Sequence, residues 1–340
     1  TWPSGTANNG AAAATVRLSA AQSEQDRPDG FKAIIECRKT YDFDATGAEI
    51  FENYGYSANP ARVAADRILA LFETRYRNNP TLARAKFRAR VHWPSWVAWR
   101  DFCDQLIPWD RDGNGVNVFI RRFEANIGFT TDLSLAAALD QLTGLSATIW
   151  QDTGRQLVFL LPVGRQPVHH FHVGNIVNRT LKHSVIDLRK LTNRIIGSCR
   201  DTDDDFLGLV NLEPPDNTFQ HALRLESIAK VGEIRSEREF SAMTQSQLSR
   251  IVEYWLRLGH DNPERYRLVG TAAAMHLLKG DFATISHPVI EGEYKLCLVL
   301  GITVRSNEAA ADEVGVTLQP LAGPLYDDAA HRPRQGALTL

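Results

Sequence analysis

The stretch MTQSQLSRIVEYWLRLGHDNPERYRLVGTAAAMHLLKG, residues 243–280, carries the strongest local signals in the chain. Thr244 and Gln247 form a capping box, and Met243 is placed to staple against Leu248, so a helix starts at Gln245. Leu248, Ile251, Val252, Trp255 and Leu256 recur at helical spacing, and Gly259 ends the run. Asn262 and Pro263 then supply a fresh N-cap and a first-turn proline. The spacing predicts a second helix to about Lys279, stopped by Gly280, and the short connection predicts an antiparallel helical hairpin. Trp255 is expected in the core.

Downstream, Tyr294 to Val304 is almost wholly apolar and reads as a strand buried on both faces. After Arg305 the composition drifts to Ala, Pro, Asp and Gly, so 306–340 is expected to be a C-terminal tail. Upstream, Pro60 to Tyr76 places Ala64, Ile68, Leu71 and Phe72 on one helical stripe, with Arg62, Asp66 and Glu73 off it. Leu133–Leu142 and Ile176–Ile196 also read as helices, whereas Ala147–Trp150 and Leu157–Leu161 read as strands. Phe31–Cys37 is a β-like run after the turn pair Asp29-Gly30. Residues 1–30, rich in Ala, Asn, Ser, Gly and Gln, cannot build a core of their own and read as an arm packed on the body or a neighbouring subunit. The expectation is therefore α+β: a predominantly helical body over 31–305 with a few buried strands, an extended N-terminal arm and a possible subdivision near residue 200.

The chain has 340 residues, 44% of them hydrophobic and 23% charged, inside the ordinary globular range. No apolar run approaches the roughly 20 residues of a membrane span, and no signal-like start is present. Cys37, Cys103, Cys199 and Cys297 lie far apart and are expected to be reduced thiols. With 38 basic against 40 acidic residues the net charge is −2. A protein so nearly neutral lacks the broad positive field of a tight nucleic-acid binder, so any such contact is local. The missing initiator Met leaves open a processed start or a longer product.

One local candidate stands out. From Arg75 to His92 there are six Arg and Lys residues and no acidic one. Arg84, Lys86, Arg88 and Arg90 alternate with Ala, Phe and Val, so an extended conformation puts them on one face with His92. A helix instead groups Arg84 with Arg88 and Lys86 with Arg90. Either arrangement suits a phosphate backbone, and these four are the nucleic-acid-binding candidates. Trp93, Trp96 and Trp99 follow at three-residue spacing, as base-stacking platforms or as core. The plainer reading of the basic run is a solvated face paired with Asp and Glu elsewhere.

Other patterns fall short of a site. Asp110-Arg111-Asp112-Gly113-Asn114-Gly115 matches half a calcium loop, but Arg121 stands where its bidentate Glu belongs, so a turn is preferred. His169-His170-Phe171-His172, with His183 and Asp187, offers a possible zinc set or a pH-sensitive interface without metalloprotease spacing. Asp29, Glu36 and Arg38 approach a nuclease signature without its lysine. Thr1 as an N-terminal nucleophile and the acidic run Asp201 to Asp205 as a metal site are weaker still. No phosphate loop, dinucleotide fingerprint, nucleophile elbow or kinase signature occurs.

An arm at Thr1 to about Gly30, a helix-rich body with elements at Ala61–Tyr76 and Gln245–Lys279, and a local basic face on a near-neutral protein make a layout similar to coat proteins of small double-stranded RNA viruses. The resemblance implies a non-enzymatic, self-assembling shell subunit. It implies dimers within an icosahedral particle that encloses RNA through non-specific phosphate contacts, without a cofactor, located in the virion and host cytoplasm. The alternatives are a metal-dependent enzyme acting on nucleic acid or phosphate esters and a cytosolic scaffold or binding protein.

Overall fold

The computed structural model describes residues 40–55, 57–109, 118–127, 133–161, 163, 166–200, 209–213, 219–240, 243–290, 292–305, 313–323, 325 and 334–335. The arm, the Phe31–Cys37 run with its nuclease-like carboxylates, the calcium-loop-like turn and the acidic run after Arg200 lie outside the described residues.

The first half pairs short hairpins with helices. Strands β1 (Thr40–Phe43) and β2 (Glu49–Gly55) form an antiparallel ribbon. Helices α1 (Pro60–Arg75), α2 (Pro80–Arg90) and α3 (Trp93–Asp104) follow. Each carries proline in its first turn, and Asn59 and Asn79 cap the first two by accepting backbone N–H groups. The hairpin β3 (Leu106–Trp109) with β4 (Val118–Arg121), the helix α4 (Leu135–Gly144) and the hairpin β5 (Ile149–Asp152) with β6 (Leu157–Leu160) complete this half.

The second half is dominated by sheet. Its strands are β7 (His169–His172), β8 (Lys182–Val185), β9 (Arg194–Arg200), β10 (Leu209–Glu213), β11 (Arg235–Glu239), β12 (Glu264–Gly270), β13 (Phe282–Ser286), β14 (Lys295–Arg305), β15 (Glu313–Pro320) and β16 (Arg334–Gln335), with α5 (Phe219–Val231) and α6 (Gln245–Gly259) between them. A mixed six-stranded sheet has the order β7-β13-β14-β15-β12-β8, in which only β7 and β13 run parallel. A four-stranded sheet has the order β11-β9-β10-β16.

This architecture corrects the expected predominantly helical body, because helix and strand take near-equal shares of the described chain. The helical hairpin is half right. The first helix spans the expected Gln245–Gly259, with Thr244 Oγ1 accepting from Gln247 N at 3.2 Å. Gln247 does not reach back to complete the box; its side-chain amide instead bridges both backbone groups of Glu124. The second helix is the strand β12. Tyr266, Leu268 and Gly270 are buried while Arg265, Arg267 and Val269 are less so, a period of two that satisfies the sheet. Asn262 is no N-cap: its Nδ2 donates to Arg257 O at 2.6 Å and its Oδ1 accepts from Ala322 N at 2.8 Å. Gly280 takes φ 97° in the turn leading to β13 rather than ending a helix.

Three further corrections follow. Ile176–Ile196 holds β8 and the start of β9 rather than a helix. The stretch read as a tail contains β15, which lies between β14 and β12 and buries Val314, Val316 and Leu318. Strand β14 is buried through Cys297–Val299 but not to its end, where Val304 is 58% exposed.

Two apolar clusters hold the chain together. The larger joins α1, α3, α4, β6 and α6, and the smaller lies on the six-stranded sheet around Phe171, Tyr266, Val299 and Val316. Leu71, assigned to the α1 stripe, is exposed, and the buried face is Ala61, Ala64, Ala65, Ile68 and Leu69. Helix α6 is enclosed on nearly every side and packs on β9 and β10. Gly197 of β9 makes that approach possible, since a Cβ there would lie 2.5 Å from Val252 Cγ2 and 2.8 Å from Leu248 Cδ1. Trp255 is only half-buried, with Arg238 over its ring at 4.7 Å.

Candidate functional site

The basic run folds as the helix α2, so the grouping that applies is Arg84 with Arg88 and Lys86 with Arg90. Ala83 and Phe87 face the core. Arg84 Nη1 lies 3.3 Å from Glu49 Oε2, whose side chain is buried. Arg90 pairs with the Asp152 carboxylate and also donates to Gly154 O at 3.2 Å, which ties α2 to the β5–β6 turn. Lys86 and Arg88 are exposed and form no ion pair with any described residue. The four candidates thus divide into two that brace the fold and two that project positive charge into solvent. The tryptophans are core: Trp93, Trp96 and Trp99 are buried, and their indole N–H groups donate to Arg88 O, Ala61 O and Ser146 Oγ at 2.8–2.9 Å.

The histidine cluster assembles at the β7 edge of the six-stranded sheet. His170 and His172 share a face as expected, with stacked rings 5.6 Å apart, and Tyr294 stacks on His170 at 4.8 Å. His170 Nδ1 contacts Thr284 Oγ1 at 2.8 Å, and His172 Nδ1 accepts the Gly174 N–H at 3.0 Å. The lone pair that a metal would use on His172 Nδ1 is therefore occupied. On the other face His169 lies 5.3 Å from His276. Burial, and then the neighbouring imidazoles, hold His169 and His170 below the ordinary histidine range, which keeps them neutral near pH 7. His183 is not part of this group; it sits on β8 at the opposite edge, 3.7 Å from Glu264. Among the described residues no three His, Cys, Asp or Glu side chains converge on a metal position.

Two polar clusters escaped sequence reading. In the first, Glu253 of α6 receives both terminal nitrogens of Arg224 from α5, at 3.0 and 2.9 Å, and Arg257 Nε at 2.7 Å. Arg224 also reaches Asp261 at 3.3 Å, and His260 Nδ1 contacts Asp261 Oδ1 at 2.8 Å. Glu253 and Arg257 stand four apart on one helix, a spacing visible in the sequence, but nothing local points to Arg224. In the second, Lys295 Nζ lies 3.0 Å from Glu264 Oε2 and 3.2 Å from the Tyr266 hydroxyl, which donates to Glu264 at 2.8 Å. Burial disfavours the Lys295 charge, but the bonds to Glu264 and Tyr266 outweigh it and hold its pKa above the usual lysine value. A lysine base or nucleophile needs the opposite shift, so this trio is a clamp. The cavity beside it, about 80 Å³ and lined by Asp261, Asn262, Glu264 and Lys295 among others, has room for only a few waters.

An exposed group of apolar side chains lies on the β3–β4 hairpin. Its ladder pairs Leu106 with Arg121 and Pro108 with Phe119 on the outward face, while Ile107 and Trp109 are buried inward. Leu106 is 60% and Phe119 69% exposed. Water therefore meets a leucine, a proline and a phenylalanine side by side on regular structure.

The chain matches no protein-family model, and no curated protein matches it in sequence. Solved structures that align with it include the virion of a native gene transfer agent particle, with 17% identity over 65% of this chain and 46% of that chain at a TM-score of 0.45. The tail protein from Neisseria meningitidis MC58 aligns with 10% identity over 58% of this chain and 60% of that chain, at a TM-score of 0.38. The 43 kDa tail protein of prophage MuSo2 from Shewanella oneidensis aligns with 8% identity over 56% of this chain and 54% of that chain, at 0.35. The aligned region spans about half of each of those chains. These neighbours are virion and tail proteins of phage-like particles, and none of the three is a double-stranded RNA virus coat protein. All three TM-scores lie below 0.5.

Proposed function

We propose that the chain is a structural subunit that assembles with copies of itself into a virion-like particle. The observation that carries this reading is the outward face of the β3–β4 hairpin, where Leu106, Pro108 and Phe119 stand together in solvent on paired strands. Contiguous apolar surface on regular structure marks a contact with another protein surface. Light scattering on the purified chain tests it: a mass many times that of the 38.0 kDa chain supports assembly. A monomer at every concentration rejects it. Phe119→Asp should shift the distribution toward smaller species without unfolding the chain.

A finer form of the reading is a closed shell around nucleic acid. Lys86 and Arg88, exposed and free of ion pairs among the described residues, are then the groups that meet phosphate. Replacing both by Gln should weaken RNA retention equally for any sequence. It should also flatten the salt dependence by about 0.9 for each duplex phosphate no longer neutralised. Replacing Arg84 and Arg90 instead should lower stability, since both hold carboxylates of neighbouring hairpins. An unchanged salt slope in the Lys86/Arg88 variant removes nucleic acid from the proposal.

A further inference from the structure

Strand β8 closes one side of the six-stranded sheet, and all four of its side chains are exposed. Its ladder to β12 pairs Glu264 with Val185, Arg265 with Ser184, Tyr266 with His183 and Arg267 with Lys182. Just beyond the strand, Ile186 N donates to Pro263 O at 3.1 Å, in the same register. That bond sets the phase of the antiparallel ladder, in which bonded and non-bonded pairs alternate. Ser184 and Lys182 therefore turn their backbone groups toward β12. His183 and Val185 turn theirs outward, where no described residue meets them.

The opposite edge is different. Asn175 Nδ2 donates to His170 O at 2.7 Å and Asn175 Oδ1 accepts from His172 N at 2.8 Å, while His276 Nε2 contacts Val168 O at 3.2 Å. Side chains thus already occupy backbone groups along β7. On β11, the exposed edge of the four-stranded sheet, Arg235, Glu237 and Glu239 supply the charged side chains that discourage strand pairing. Strand β8 has one lysine and a 60% exposed valine, Val185.

We infer that β8 is a docking edge for the β8 strand of a second copy, paired antiparallel about a two-fold axis through Ser184; this rests on the self-assembly proposed above. The strand is complementary to itself in that register. His183 of one copy faces Val185 of the other, so the outward N–H and C=O groups of both residues are exchanged and none is left over. Lys182 faces Ile186 and Ser184 faces its own mate, so no like charges stand opposite each other. The register that sets His183 against His183 places two imidazoles together. The register that sets Val185 against Val185 calls on Asp187, whose carbonyl is already taken by Lys190 N at 2.8 Å. Pairing about Ser184 joins two six-stranded sheets into one continuous sheet and makes a closed, isologous dimer, a unit from which a larger particle is built through other surfaces such as the β3–β4 face.

Disulfide trapping tests the contact. Opposed residues of a non-bonded antiparallel pair have Cα atoms about 4.5 Å apart, within reach of a disulfide. Ser184→Cys, made with Cys37→Ser and with the buried Cys103, Cys199 and Cys297 left in place, should become a reducible covalent dimer under mild oxidation. Val185→Pro removes an outward N–H that the ladder to β12 does not use, a position where a strand tolerates proline. Added to the Ser184→Cys chain, it should cut the cross-linked fraction about tenfold or more with unchanged circular dichroism. If light scattering shows assembly but Ser184→Cys stays uncrosslinked, β8 is not the contact and the assembly reading survives. If the chain is monomeric and uncrosslinked, both readings fall. A cross-link within one chain between Ser184→Cys and Cys37, sought with Cys37 restored, would place the chain's own N-terminal segment on β8 and overturn the dimer.

Discussion

Replacing Glu253 with Gln should be among the most damaging single changes in the chain, although it alters few atoms. The carboxylate is 2% exposed and accepts three bonds from two guanidinium groups, Arg224 and Arg257, each 3% exposed. Asp261 can hold Arg224 in part, at 3.3 Å, whereas Arg257 Nε is held by Glu253 itself, one turn back on the same helix. Breaking a buried pair from one side leaves uncompensated charge and costs about 3–5 kcal/mol, a large part of the roughly 5–15 kcal/mol that holds a typical domain folded. In urea, with a slope of about 1–3 kcal/mol per molar, the midpoint should fall by about 1–5 M. The pH dependence gives a second reading of the same group. Burial pushes the Glu253 carboxyl up, but the bonds and charges of Arg224 and Arg257 outweigh it and hold it below the ordinary glutamate value. A depressed carboxylate contributes stability that is fully present above its unfolded pKa, about 4.3, and is lost as pH falls through the folded value. Wild-type stability should therefore decline below about pH 4.3, and Glu253→Gln should flatten that decline. A midpoint shift worth less than about 1 kcal/mol at pH 7, with the acid limb unchanged, would mean that the cluster is hydrated and the reasoning from burial is wrong.

Gly197→Ala should destabilise by about 1–3 kcal/mol, since the new methyl enters the seam where Leu248 and Val252 of α6 meet β9; a neutral result in thermal melts would show that the helix can retreat. Burial pushes the Cys297 thiol up to about 12 and the Cys103 thiol higher still, and Cys199 is buried as well. A thiol reagent at pH 8 should leave these three unlabelled in the native protein and label them in denaturant, whereas rapid native labelling would contradict their enclosure. Trp99→Ala should cost about 3–5 kcal/mol by chemical denaturation, because the ring stacks on Phe159 at 4.9 Å and its N–H is bonded to Ser146; a cost under about 1 kcal/mol would contradict its place in the core.

Elements whose signals are local could be read from the order of residues alone. Thr244, the apolar stripe and Gly259 bound α6 because a cap, a 3.6-residue period and a terminator all act within a few residues. The helix α1, with Ala64 and Ile68 of its stripe, and the apolar runs of β5 and β6 were legible for the same reason. Glu264–Gly270 was not. A proline after an asparagine and a mixture of apolar and basic residues fit a helix start as well as a strand, and β15 and β8, some fifty residues downstream and eighty upstream, decided for the strand. The residues after Arg305 looked like a tail because β15 owes its burial to β14 and β12 rather than to a long apolar run of its own. The candidate surface divided in the same way. Arg84, Lys86, Arg88 and Arg90 form a basic run in any conformation, but only the folded chain brings Glu49 and Asp152 against two of them and leaves Lys86 and Arg88 in solvent. Charge and hydropathy belong to each residue wherever the chain carries it, whereas the partner that neutralises a charge or covers an apolar face is chosen by contacts between residues far apart in sequence.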